Sequence, residues 1–168
     1  YKMISESTSL PIILYNVPAR TSSNISAETT LRLSNDFSNI IGIKEASGDM
    51  DQIMRILQNK SNDFLVLSGD DSLTLPMIYM GAEGAISVIC QSHPKEFSNM
   101  VTLGLSGNKK LANRIHYKLF DLYKPLYSEG NPVGIKACLE NLGICQAYVR
   151  LPLVEASNKI KNDLKRLL

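Results

Sequence analysis

The segment IIGIKEA, at residues 40–46, is an apolar run that ends in a lysine and a glutamate before a small residue. Its β-branched residues favour a strand, and it lacks the regular apolar/polar alternation of a half-exposed strand. Similar segments lie at residues 11–16, 64–69 and 84–89. We therefore predict four strands buried on both faces, as in parallel sheets covered by helices.

Segments with helical spacing follow the predicted strands. Their recognisable starts are Ser26, Asp49 with Gln52 three residues later, and Ser72 before the apolar run at 73–80. The resulting β-α-β-α-β-α-β-α order predicts parallel strands joined by helical crossovers. This order fits either an open, doubly wound sheet or part of a closed barrel.

The chain changes character after Ile89. No further strand signal follows, and helical patterns occupy residues 94–105, 109–123, 132–142 and 154–168. Pro132 suits a first helical position, Gly143 a C-cap and Pro152 the entry to the last helix. We predict an all-helical tail behind the α/β part.

Composition narrows the classes of function. The chain has 168 residues, of which 44% are hydrophobic and 20% charged, as in an ordinary globular domain. Its 18 basic and 16 acidic residues are spread along the chain without a basic block, so we do not expect nucleic-acid binding. The longest apolar runs are far shorter than the roughly 20 residues that cross a bilayer, so no membrane span is expected.

The cysteines and histidines predict neither disulfides nor a metal site. Cys90, Cys138 and Cys145 are odd in number and match neither a CxxC pair nor a zinc spacing, which suits reduced thiols filling a core. His93 and His116 lie far apart and lack cysteine or carboxylate neighbours at metal spacing. The start of the chain lacks the pattern of a secretory signal, and we expect a cytoplasmic protein.

Polar residues stand at the C-terminal ends of three predicted strands. They are Tyr15 with Asn16, Lys44 with Glu45, and the turn at residues 68–71. In parallel α/β folds these ends share one edge of the sheet, where ligands bind. We expect a site at this edge.

Lys44 is the candidate nucleophile at this edge. A lysine amine attacks only when neutral, so its ordinary pKa of about 10.4 must be lowered by a desolvated pocket or a nearby cation. The apolar run before Lys44 offers such a wall. In the alternative interpretation, the stem of Lys44 packs while its ammonium reaches water or pairs with Glu45.

Tyr15 and Arg20 are the other candidates. The Tyr15 phenol can donate and accept a proton, although core tyrosines also end strands. Arg20 offers a planar fork for a carboxylate, or else a surface ion pair. Asp70 and Asp71 are more typical of a turn and a helix cap than of paired acid/base carboxylates.

Several short motifs follow one another in an order typical of one family. They are YNVPART at 15–21, GIKEASGD at 42–49, SGDD at 68–71, GAISV at 84–88, NPVGIK at 131–136 and VRLPL at 149–153. Together they resemble the dihydrodipicolinate synthase family over nearly the whole chain. The resemblance implies the C-terminal half of a (β/α)8 barrel in residues 1–93, then the last barrel helix and a helical region in 94–168.

The same resemblance implies a class I, aldolase-type lyase without a cofactor. Lys44 would form a Schiff base with pyruvate and Tyr15 would relay protons. Arg20 would bind the carboxylate of L-aspartate 4-semialdehyde, and the backbone of Ile86, on the fourth strand, would contact pyruvate. The product would be 4-hydroxy-tetrahydrodipicolinate, a precursor of diaminopimelate and lysine.

Members of that family are much longer and begin with four strands that this chain lacks. The missing part would carry a Gly-Thr-Thr-Gly motif whose threonine joins the proton relay, so we expect little or no turnover from the chain alone. Open sheet edges favour pairing, and we expect a homo-oligomer, which is a tetramer in full-length members. The alternatives are a non-catalytic oligomerisation or binding module, and a sugar-acid aldolase related to N-acetylneuraminate lyase, whose members usually lack the arginine at Arg20.

Overall fold

Four parallel strands form the sheet, and their spatial order is their order along the chain. In the computed structural model, which describes residues 1–168, they are β1 (Ile12–Asn16), β2 (Ile40–Glu45), β3 (Leu65–Ser68) and β4 (Gly84–Ala85). The predicted parallel sheet is therefore confirmed. Its register places Tyr15 opposite Lys44, and Lys44 opposite Leu67.

Helix α1 (Lys2–Glu6) precedes the first strand, and helices connect the strands: α2 (Pro18–Thr21), α3 (Ala27–Asp36), α4 (Met50–Asn59) and α5 (Thr74–Tyr79). Two predicted starts are confirmed, because Ser26 caps α3 and the Asp49 side chain accepts a hydrogen bond from the Gln52 N–H, 3.1 Å away. The start at Ser72 is wrong. There the Asp70 carboxylate accepts the Ser72 N–H, and α5 begins only after this turn.

The two faces of the sheet differ in burial. Leu14, Ile43 and Val66 are at most 4% exposed and pack into a core with the helices α3, α4 and α5. On the opposite face, Ile13 is 41% and Tyr15 is 52% exposed. The prediction of burial on both faces is therefore wrong for the isolated chain, since no helix or strand within residues 1–86 covers the second face.

The fourth strand is shorter than the predicted 84–89. It ends at Ala85, and a 3₁₀ helix occupies Ile89–Gln91. Ile86 thus follows the strand rather than lying on it, although its N–H still donates to the Ser68 carbonyl at 2.9 Å. That hydrogen bond carries the ladder one residue further.

The helical tail consists of α6 (Pro94–Leu105), α7 (Lys109–Tyr127), α8 (Val133–Asn141) and α9 (Asn158–Leu167). Gly143 follows α8 with a φ of 70°, in keeping with its predicted role in ending the helix. Pro132 is the N-cap rather than the first helical residue. The predicted start of the last helix near Pro152 is wrong, because Ser157 supplies the capping hydroxyl and α9 begins after it.

The chain divides into two compact units, Tyr1–Ile86 and Ser87–Leu168. The second unit has its own core, in which Phe97, Met100 and Leu119 are at most 3% exposed. The predicted division after residue 93 stays a prediction. All three cysteines are free thiols. None of the helices combines the length and hydrophobicity that a membrane span requires.

Candidate active site

Tyr15 and Lys44 lie side by side at the C-terminal edge of the sheet. They are register partners on β1 and β2, and the Lys44 Nζ lies 4.0 Å from the centroid of the Tyr15 ring. A cation over an aromatic face is stabilised by about 0.5–1 kcal/mol at an exposed site. The fold therefore brings an amine and a phenol together on the uncovered face.

Two of the alternative roles, an ion pair of Lys44 with Glu45 and a core position for Tyr15, do not fit the structure. Lys44 does not pair with Glu45, because successive strand residues point to opposite faces and Glu45 is fully buried on the helix side. Tyr15 is not a core tyrosine in this chain, since 52% of it is exposed. Lys44 itself is half-buried.

A buried carboxylate anchors the two strand ends from behind. Glu45 Oε1 accepts hydrogen bonds from the Ser47 N–H at 2.7 Å and from Asn16 Nδ2 at 3.1 Å. Its Oε2 accepts from Asn16 Nδ2 at 3.0 Å and from Gln52 Nε2 at 3.1 Å. Glu45 thus ties together β1, β2 and the first turn of α4, without any cation in this set of contacts.

Asn16 extends the same network into the loop after α2. Its Oδ1 accepts the Ile25 N–H at 3.0 Å, and its Nδ2 donates to Asn24 Oδ1 at 2.8 Å. Asn24 in turn donates to Gln52 Oε1 at 2.8 Å. The segment between β1 and α3 is therefore held at both of its ends.

Each strand end thus carries one residue for each face of the sheet. Tyr15 and Lys44 face the open side, while the residues that follow them, Asn16 and Glu45, bond to each other on the buried side. Sequence reasoning missed this buried pair. The sequence did carry a signal for it: at the end of two buried strands, a candidate catalytic residue is followed directly by a second polar residue.

Arg20 lies in α2, directly after β1, and is exposed. No carboxylate is near enough to form an ion pair with it, so the structure offers no partner for the surface-pair alternative. Val17 and Pro18 begin the short helix, and Ser22 ends it in the left-handed region at a φ of 53°. The guanidinium is therefore available to a ligand.

The turn after β3 behaves as predicted. The Asp70 carboxylate accepts hydrogen bonds from the Ser72 N–H at 2.9 Å and from the Leu73 N–H at 3.3 Å, so it shapes the turn. Asp71 is fully buried and has interactions of its own. No three His, Cys, Asp or Glu side chains cluster in a way that would hold a metal ion.

The parallel sheet, with an amine and a phenol at its C-terminal edge, defines a class: the α/β proteins whose ligand site lies at the C-terminal ends of parallel strands. Within that class, the family model described as the dihydrodipicolinate synthetase family matches residues 1–168. The chain belongs to the dihydrodipicolinate synthetase family. The resemblance seen in its motifs is confirmed.

Curated relatives and solved structures agree with this assignment. The 4-hydroxy-tetrahydrodipicolinate synthase of Flavobacterium psychrophilum is 51% identical over 164 residues, which cover 98% of this chain and 56% of that protein. The crystal structure of dihydrodipicolinate synthase from Thermotoga maritima is 40% identical with a TM-score of 0.97, and the match covers 99% of this chain and 58% of that one. The chloride-inhibited dihydrodipicolinate synthase from Acinetobacter baumannii, complexed with pyruvate, is 33% identical with a TM-score of 0.95, and the match covers 99% and 57% of the two chains.

The chain therefore spans less than two thirds of the length of these relatives. Its strands and helices are those of the C-terminal half of a (β/α)8 barrel followed by a helical tail, so the predicted fold is confirmed.

Proposed function

We propose that this chain carries the imine-forming centre of a lyase that condenses pyruvate with L-aspartate 4-semialdehyde. The product is 4-hydroxy-tetrahydrodipicolinate, which feeds diaminopimelate and lysine biosynthesis. The observation that carries the proposal is the Lys44 amine 4.0 Å from the Tyr15 ring at the ligand-binding edge of the sheet. The pyruvate complex of the Acinetobacter baumannii relative supports the first substrate.

Imine formation needs an amine and a group that moves protons. The neutral Lys44 amine adds to the keto carbon of pyruvate, and a proton transfer gives a neutral carbinolamine. Protonation of its hydroxyl lets water leave and yields the Schiff base. The Tyr15 phenol, on the neighbouring strand, is suited to pass these protons because a hydroxyl both donates and accepts.

Arg20 and Ile86 supply substrate contacts in this proposal. The exposed Arg20 guanidinium, which has no ion pair, can hold the semialdehyde carboxylate in two parallel hydrogen bonds. The Ile86 N–H is already bonded to the Ser68 carbonyl, so its own carbonyl oxygen is the backbone atom left to face pyruvate. Arg20 favours the synthase over a sugar-acid aldolase.

We expect the isolated chain to form the imine with pyruvate even though its turnover is low or absent. The chain covers 56% of the Flavobacterium psychrophilum relative, and one face of its sheet is uncovered. A missing member of a proton relay lowers a rate by about 100- to 10,000-fold, which leaves binding possible. The uncovered face and the open edges of the sheet support association with further copies.

Trapping with borohydride tests the proposal. The chain is incubated with pyruvate, reduced and digested, and the peptide that contains Lys44 is expected to gain the mass of a carboxyethyl group. The Lys44→Arg variant keeps the charge and removes the nucleophile, so it should gain nothing at this position. An unmodified Lys44 in the folded chain would favour the non-catalytic module instead.

A further inference from the structure

Gly69, directly after β3, lies against the stem of Lys44. A Cβ atom at this position would lie 2.9 Å from Lys44 Cε and 3.1 Å from Lys44 Cγ, and 2.7 Å from the Cβ of Ala46. The Gly69 N–H donates to the Glu45 carbonyl at 2.8 Å, which holds its backbone close to the end of β2. Distances this short leave no room for any side chain.

Backbone conformation does not explain the glycine. Gly69 is absent from the residues with positive φ, so an alanine could adopt its backbone angles. What the position requires is space. The space is needed on the open face of the sheet, because Gly69 lies two residues beyond Leu67, the register partner of Lys44.

We propose that Gly69 is a positioning residue, whose missing side chain leaves the channel that directs the Lys44 amine over the Tyr15 ring. The Lys44 side chain is confined between the Tyr15 ring on one side and the Gly69 backbone on the other. With one side closed by the ring and the other by the glycine, the amine stays 4.0 Å from the ring centroid. The consequence for imine formation rests on the proposed function, whereas the placement of Lys44 does not.

A test must separate the two contacts that a methyl group at position 69 would make, one with the Ala46 Cβ and one with the Lys44 stem. Gly69→Ala alone strains the backbone, because the Ala46 Cβ cannot move away as a flexible stem can. The double variant Ala46→Gly with Gly69→Ala removes that contact and keeps only the contact with Lys44. Ala46→Gly alone is one control. Gly84→Ala is the other, since its Cβ would meet only Leu67 Cδ2, at 3.5 Å.

Two readouts are measured on each folded chain. The first is the proton NMR shift of the Lys44 ε-CH2 group, which a position over the Tyr15 ring moves upfield. We expect the double variant to lose this upfield shift while both controls keep it. The second is the rate of pyruvate trapping by borohydride, which should fall about 10- to 100-fold in the double variant, the usual cost of displacing a reacting group by about 1 Å.

An upfield shift retained in the double variant would overturn the proposal. A double variant that fails to fold would also overturn it, because only the flexible Lys44 stem should then stand in the way of the new methyl group. Absence of trapping in the wild-type chain, with its upfield shift present and lost in the double variant, would count against the proposed function and in favour of the positioning role.

Discussion

The buried Glu45 network offers the sharpest test of how the site is held. In Glu45→Gln, an amide NH2 group replaces one carboxylate oxygen, while every partner seen around Glu45 is a donor: Asn16 Nδ2, Gln52 Nε2 and the Ser47 N–H. If the NH2 group replaces Oε2, two donors at 3.0 and 3.1 Å then face another donor. Removal of the buried charge offsets part of this loss.

Each hydrogen bond to a charged group contributes about 1.5–3 kcal/mol, so two of them would give about 3–6 kcal/mol. Burying a carboxylate costs free energy that the neutral amide does not require, which lowers the net figure to about 3 kcal/mol. We therefore expect Glu45→Gln to reduce the opening free energy of the first unit by about 3 kcal/mol.

Amide hydrogen exchange of the β2 residues measures that free energy within the unit concerned. Glu6→Gln is the matched control, because the Glu6 side chain is 61% exposed and its pair with Lys2 spans 3.8 Å. Such a surface pair contributes no more than about 1 kcal/mol. A Glu45→Gln variant whose exchange matches that of the control would show that the buried network does not hold the strand ends.

Three further predictions concern other parts of the chain. Gly134→Ala should destabilise the second unit by more than about 3 kcal/mol in urea unfolding, since its Cβ would lie 2.1 Å from the Leu126 carbonyl oxygen, and near-wild-type stability would contradict this packing. Burial lowers the pKa of His116 below its ordinary 6.5, so its contribution to stability is present above about pH 6.5 and is lost as pH falls towards the lowered value. Between pH 7.5 and 5, His116→Phe should therefore lose less stability than the wild type. The wild type has two histidines with a lowered pKa, His116 and His93, and the variant keeps only His93. An equal loss of stability with pH in the two proteins would refute the role given to His116. Arg20→Ala should keep pyruvate trapping at Lys44 but weaken the binding of succinic semialdehyde, which lacks the amino group of the proposed second substrate, to the pyruvate-loaded chain. Titration calorimetry without any reductant measures this binding, and an unchanged affinity would remove Arg20 from the site.

Local patterns in the sequence predicted the strands and most helices well. β-branched runs located all four strands, and the hydroxyl and carboxylate caps Ser26 and Asp49 marked two helix starts. The errors lay in two helix starts. The turn expected at Asp70 and Asp71 delays the start of α5 past Ser72, and Ser157 caps the last helix well beyond Pro152.

The candidate site was predictable only in part. Because parallel strands align their C-terminal ends, Tyr15 and Lys44 were expected to meet at one edge of the sheet, and they do. The supporting contacts were not visible in advance. Glu45 gathers donors from three separate segments, and the closeness of Gly69 to the Lys44 stem depends on a register that no local pattern encodes.

In the proposed function, the Lys44 nitrogen bonds to the keto carbon of pyruvate. We would label the lysine side chains with 15N at Nζ, add pyruvate carrying 13C at its keto carbon, and record the one-bond coupling between the two nuclei without any reductant. We expect one coupled imine signal, which disappears in Lys44→Arg and persists when the exposed Lys2 is replaced by Arg. A coupled signal that survives in Lys44→Arg, or no coupled signal in a folded wild-type chain at saturating pyruvate, would contradict it.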